Sequence, residues 1–160
     1  MSRIRTALVP VAEIFALRHA VLRPGRPPES AAFPEDADPG TFHVAAYDEE
    51  GEVQACVTFL PGPLPGTGEA AYRFRGMASA PAVRGRGYGV AVLEAGLAEA
   101  AARGAGLVWC NGRTVARGFY ERHGFTVQGE EFMVEGVGPH HVFTIKVAPD
   151  GGDGGVGARP

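Results

Sequence analysis

Lysine is nearly missing from this chain: among 160 residues it occurs once, at Lys146. A phosphate loop of the pattern G-x-x-x-x-G-K-[ST] is therefore excluded, because no lysine follows any glycine-rich turn. Cysteine is scarce too. Cys56 and Cys110 are the only two and form no C-x-x-C pair. Neither a disulfide framework nor a zinc ribbon can be built from them, and both read as small buried apolar residues. No apolar run approaches the ~18 residues of a membrane span. Pro10 and Glu13 interrupt the stretch behind the basic N-terminus, so no signal peptide is read. Net charge is only −3, which gives no global basic field for nucleic acid or an anionic membrane. His19, His43 and His123 lack partners at ligand spacing, so no metal is expected. The chain reads as soluble, reduced and cytoplasmic.

What is abundant is glycine and proline, which fill 37 of 160 positions, against an average near 12% for the pair. They punctuate the sequence into elements. Residues 3–9 suit a strand, and Pro10 suits the opening of a helix whose Ile14, Leu17, Val21 and Leu22 recur at helical spacing. Residues 23–40, with five prolines and Glu35, Asp36 and Asp38, read as a long loop of the kind that is functional or disordered. A hairpin is expected from Phe42–Tyr47 and Val53–Leu60 around Asp48-Glu-Glu-Gly51. A Gly/Pro connection at 61–68 leads to a strand at 71–78, a glycine-rich turn at 84–89 and an amphipathic helix. Leu107–Cys110 looks like a buried parallel strand, residues 113–123 like a helix closed by Gly124, and 125–127 and 142–147 like two last strands. Segments 61–69 and 130–140 read as loops beside the site. The expected order is β-α-β-β-β-α-β-α-β-β: a mixed α/β (α+β) fold with a central sheet of six to seven strands flanked by helices. Residues 1–148 make one domain in this reading, and 149–160, with five glycines, a disordered tail.

The chemistry concentrates in Met77-Ala-Ser-Ala-Pro-Ala-Val-Arg-Gly-Arg-Gly-Tyr-Gly89. Gly85, Gly87 and Gly89 can take backbone angles closed to other residues and let an anion approach the main chain. The leading N–H groups of the following helix point into this turn, and the macrodipole adds about half a positive charge there. Arg84 and Arg86 add guanidinium charge. A phosphate or pyrophosphate suits such a turn. A dinucleotide-binding fingerprint wants a carboxylate ending the second strand, and here that strand ends in Cys110-Asn111.

Arg84-Gly-Arg-Gly-Tyr-Gly89 matches [RQ]-x-x-G-x-[GA] directly after a strand, and Ala116-x-x-Phe119-Tyr120-x-x-x-Gly124-Phe125 follows after Asn111. Together these resemble the GNAT superfamily of acyl-CoA-dependent N-acetyltransferases. The resemblance implies acetyl-CoA as co-substrate, its pyrophosphate on the main-chain N–H groups of Arg84, Gly85, Arg86, Gly87, Tyr88 and Gly89. It implies that the strand edge Met77-Ala78-Ser79 pairs with the pantetheine arm and that the Met77 N–H faces the thioester carbonyl. Asn111 would lie beside the pantetheine, and Tyr120 would face the thioester sulfur as the catalytic acid. A narrower likeness to ElaA-type acetyltransferases rests on Leu17-Arg18-x-x-Val21-Leu22, the acidic loop, Gly129-Glu-Glu131 and Gly138-Pro-His140.

Acetyl transfer needs a neutral amine, an oxyanion donor and a proton for the leaving thiolate. Glu35, Asp36, Asp38, Glu130, Glu131, His140 and His141 are the candidates for a base, alongside a water chain. The acceptor is a small-molecule or peptide amine, and the acidic loop favours a cationic one. A homodimer is compatible with the sequence and not required by it. The alternative reading is a non-catalytic module that binds acyl-CoA as a sensor or scaffold.

Overall fold

The computed structural model describes residues 4–148; the glycine-rich segment 149–160, expected to be disordered, lies outside them. Element order is β1 (Arg5–Val9), α1 (Val11–Leu22), β2 (Phe42–Tyr47), β3 (Val53–Pro61), β4 (Ala71–Ser79), α2 (Tyr88–Ala102), β5 (Leu107–Arg113), α3 (Arg117–Arg122), β6 (Thr126–Val134) and β7 (Gly138–Lys146). The strands form a seven-stranded mixed sheet in the order β1-β2-β3-β4-β5-β7-β6. The β4–β5 pair is parallel, as the strand–helix–strand reading requires, and its ladder covers three pairs, Ala71–Arg73 with Leu107–Trp109.

Among the described residues two compact units are present, 4–61 with 74–99 and 62–73 with 100–148. In the first, β2 is buried along its whole length and β3 over Ala55–Leu60. Their sequences are near-continuous apolar runs for that reason: both sheet faces are covered. On one face α1 packs Ile14 against Ala45, Tyr47, Cys56 and Ala78. On the other, Phe59 stacks on Phe42 at a centroid distance of 5.1 Å and lies tilted against Phe74 at 5.3 Å. Here α2 crosses so closely that a Cβ on Gly96 would stand 2.0 Å from the Phe59 ring. Glycine in mid-helix costs about 1 kcal/mol in propensity, and this contact is what requires it.

In the second unit, Leu64, Ala71, Leu107 and Trp109 form a cluster, and the Trp109 indole N–H donates to the Gly62 carbonyl at 2.8 Å. The β6–β7 hairpin departs from expectation. Segment 130–140 is not a loop but mostly strand, turning only at 135–137. Phe132 pairs with His140 and Gln128 with Val142, so three residues of β6 oppose one of β7. Gly129, at φ +82°, opens that bulge. Alternation of apolar residues fails across a bulge, which hid the strand.

Segment 23–40 is likewise more ordered than a loop reading suggests. It holds two 3₁₀ turns, Pro28–Ala31 and Pro34–Ala37, each opening on a proline. Proline at a first turn loses nothing, since its N–H has no intrahelical acceptor.

Candidate active site

The turn after β4 is exposed from Arg84 to Gly87. A 3₁₀ turn, Pro81–Val83, precedes it, and the Arg84 and Arg86 N–H groups donate to Pro81 and Val83 at 3.4 and 3.2 Å. Gly85 and Gly87 adopt φ +82° and +93°. A Cβ built on Gly85 would meet nothing within 4 Å, so the main chain there is open on that side. The ladder of α2 starts with Ala91 N–H to Gly87 C=O at 3.0 Å, which places the Tyr88, Gly89 and Val90 N–H groups ahead of it. Gly89 is hemmed in: its Cβ would lie 3.1 Å from Ser79 Oγ.

One bend in β4 sets the surroundings of Met77. Gly76 has φ +68°, and a Cβ on it would be 2.8 Å from the Phe33 ring. The neighbouring Arg75 guanidinium lies 4.0 Å from the centroid of the same ring. Successive residues of a regular strand face opposite ways, so Arg75 and Gly76 mark a bulge immediately before Met77. Met77 and Ser79 are half-buried, and Ala78 is buried.

Phe33 is held from beneath by a buried cation. Arg18, 0% exposed, donates from Nη1 and Nη2 to the two Asp36 oxygens at 2.8 and 3.0 Å. It also donates to Ala31 O at 2.9 Å and Thr58 Oγ1 at 2.7 Å, and its guanidinium lies 3.9 Å from the Phe33 centroid. Thr58 Oγ1, which accepts from Arg18, also lies 2.8 Å from His43 Nδ1, and His43 Nε2 lies 3.4 Å from the Asp36 carbonyl oxygen; a neutral Nε2–H tautomer suits both contacts. Burial and the Arg18 charge depress the His43 pKa against the opposing pull of Asp36. Burial pushes the Asp36 carboxyl up, but the Arg18 hydrogen bonds, the Phe33 N–H and the Arg18 charge outweigh it and hold the group below its ordinary range.

In the second unit, Asn111 is exposed on β5 and pairs with Val142. Tyr120 is buried on α3, stacked on Phe143 at 4.5 Å and edge-on to Phe125 at 5.5 Å. Its hydroxyl and the Cys110 thiol share a hydrogen bond, and burial raises both pKa values, that of Cys110 to about 12.

The Acetyltransferase (GNAT) family pattern matches residues 11–125. The chain belongs to the GNAT family. Its relative YitI from Bacillus subtilis (strain 168), an uncharacterized N-acetyltransferase, is 33% identical over 135 residues, 84% of this chain and 90% of YitI. Two solved structures share the fold. Escherichia coli ElaA has a TM-score of 0.66 at 16% identity, over 89% of this chain and 99% of ElaA. An aminoglycoside 6'-N-acetyltransferase complexed with coenzyme A has a TM-score of 0.72 at 15% identity, over 91% of this chain and 98% of that one. By family this GNAT chain is an acyl transferase, and no helix among its described residues is long and apolar enough to cross a membrane.

The base candidates separate clearly in this GNAT chain. Asp36 is committed to Arg18. Asp38 is exposed. Glu131 accepts from Thr114 Oγ1, which also meets His141 Nδ1 at 3.1 Å, while buried His140 faces the Gly138 carbonyl through Nδ1. Glu35 reaches β4, with Oε1 3.7 Å from Arg75 Nη1. No group of residues able to hold a metal occurs among the described residues. Sequence reading overlooked Arg18 as a buried hub and Gly112, whose Cβ would stand 2.7 Å from the Tyr120 ring. An arginine in an amphipathic helix carries no local sign of burial, although its place on the α1 stripe, four residues after Ile14, was available.

Proposed function

We propose that this GNAT chain transfers an acetyl group from acetyl-CoA to a primary amine, with residues 1–148 acting as one acyltransferase domain. The turn at 84–89 carries the reading: an exposed main chain with two left-handed glycines leading into a fifteen-residue helix suits a diphosphate. The coenzyme A named with the aminoglycoside acetyltransferase structure supports that ligand class. Arg84 to Gly89 would hold the pyrophosphate, with the Tyr88 and Gly89 N–H groups better placed than those of Arg84 and Arg86, which serve the preceding turn. Met77 to Ser79 and Asn111 would line the pantetheine.

The neutral amine attacks the thioester carbon and the Met77 N–H would stabilise the oxyanion. The carbon–sulfur bond then breaks, the nitrogen gives up its proton to base, and the thiolate takes one from Tyr120. Burial raises the Tyr120 pKa, which keeps the phenol protonated but weakens it as a donor, since an acid works best with its pKa near the working pH. Tyr120→Phe should lower kcat about 100-fold with acetyl-CoA affinity unchanged, read from thiol release and calorimetry. Unchanged kcat removes Tyr120 from the mechanism. The Tyr120–Cys110 hydrogen bond in an aromatic core favours a second reading, a non-catalytic acyl-CoA sensor. Thiol release from acetyl-CoA over a panel of amines separates the two.

A further inference from the structure

Arg18 is the largest fully buried side chain among the described residues; burying a guanidinium is costly, and its Nε makes no hydrogen bond. Beyond its bonds to Ala31 O and Thr58 Oγ1, its bidentate pair and its ring contact both fall on one short turn, the one carrying Phe33, Glu35 and Asp36. Asp36 is gripped at both oxygens, and it also receives the Phe33 N–H at 2.9 Å, so the turn cannot slide along the sheet without breaking three charge-assisted bonds. The turn rests on the β4 bulge at Arg75–Gly76, one residue before Met77. On this platform Glu35 presents a carboxylate whose Oε1 is enclosed without a hydrogen bond. Arg75 forms an ion pair with it at 3.7 Å, beyond hydrogen-bond reach.

We infer that Arg18 and Asp36 are positioning residues for the acceptor, and that Glu35, held by them against Arg75 of β4, two residues before Met77, determines a preference for amines bearing a second positive charge. The inference rests on the acetyl-transfer reading and deepens it by naming the acceptor class. Glu35 does not serve as the base in this scheme. It binds the charge that does not react, leaving the other nitrogen to attack.

The test uses the full chain with acetyl-CoA and two acceptors of equal length, 1,5-diaminopentane and pentylamine. The wild type should favour the diamine in kcat/KM by about tenfold, the order of one charge-assisted contact. Glu35→Gln should erase that preference, and Asp38→Asn should retain it. Arg18→Lys, whose ammonium cannot reproduce the bidentate grip, should raise the diamine KM about tenfold with acetyl-CoA KM within about twofold, measured where circular dichroism shows the variant folded. Glu35→Gln, on a partly exposed side chain, tests the idea even where Arg18→Lys fails to fold. A preference that survives Glu35→Gln, or one lost equally in Asp38→Asn, overturns the inference while acetyl transfer stands. If the wild type turns over no amine, calorimetric titration with 1,5-diaminopentane decides: heat lost in Glu35→Gln upholds the charge contact and places the failure on the transfer reading, and equal heat in both overturns it.

Discussion

The turn at 84–89 and the segment at 23–40 solve the same problem, holding irregular chain in one shape, by opposite means. The first uses main chain. Its residues are exposed, its shape comes from glycines at φ +82° and +93°, and its neighbours in space are mostly its neighbours in sequence. The second uses side chains. Its shape comes from prolines that open two short turns and from one arginine on another helix, 18 residues away from the aspartate it grips. A backbone-built turn leaves its polar groups available to a ligand. A side-chain-built one consumes them, and offers only what it holds out, here Glu35.

Breaking the second segment should therefore cost more stability than breaking the first. Asp36→Asn leaves a fully buried guanidinium without its counter-charge; removing one partner of such a pair costs about 3 kcal/mol, or roughly 6–12 °C in Tm for a domain of this size. Gly85→Ala tests the first segment. Its Cβ would touch nothing, so only the left-handed backbone resists, at about 1 kcal/mol and roughly 2–4 °C. Coenzyme affinity should respond in reverse order: Gly85→Ala weakens acetyl-CoA binding by calorimetry, and Asp36→Asn leaves it alone. Equal Tm losses would erase the distinction between the two segments.

The same contrast explains what could be read in advance. The turn at 84–89 was legible because spacing alone states it: glycines at 85, 87 and 89 ahead of an apolar helix mean one local shape. The element order was legible for the same reason, since β2, β3 and α1 announce themselves by burial and period. Arg18–Asp36–Thr58–His43 was not. Its members come from α1, the acidic turn, β3 and β2, and nothing in Leu17-Arg18 says which of three nearby acids the guanidinium will meet. The β6 strand was cut short on paper because the bulge at Gly129–Glu131 breaks its alternation, although the glycine itself marked the place. Gly112 stayed unnoticed because its reason is the Tyr120 and Phe143 rings across the sheet, not its own neighbours.

The smallest effect expected is also the one that singles out the buried network from the exposed turn, a dependence of stability on pH near 6. His43 is 5% exposed and faces Thr58, Asp36 and Arg18. Burial, with the Arg18 charge, sets its folded pKa below the ordinary 6.5. As pH falls through 6.5 the unfolded chain takes a proton at His43 that the folded chain declines, so stability drops until the folded pKa is reached and then levels. Asp36 adds a second descent lower down: its folded pKa lies below 3.8, so the stability it contributes is complete above that value and disappears as pH falls through the folded pKa. His43→Gln should flatten the first limb of a urea-denaturation profile between pH 7 and 5 and leave the second, whereas Gly85→Ala should shift the whole curve without changing its form. A first limb that survives His43→Gln would mean that a group other than His43 carries that descent.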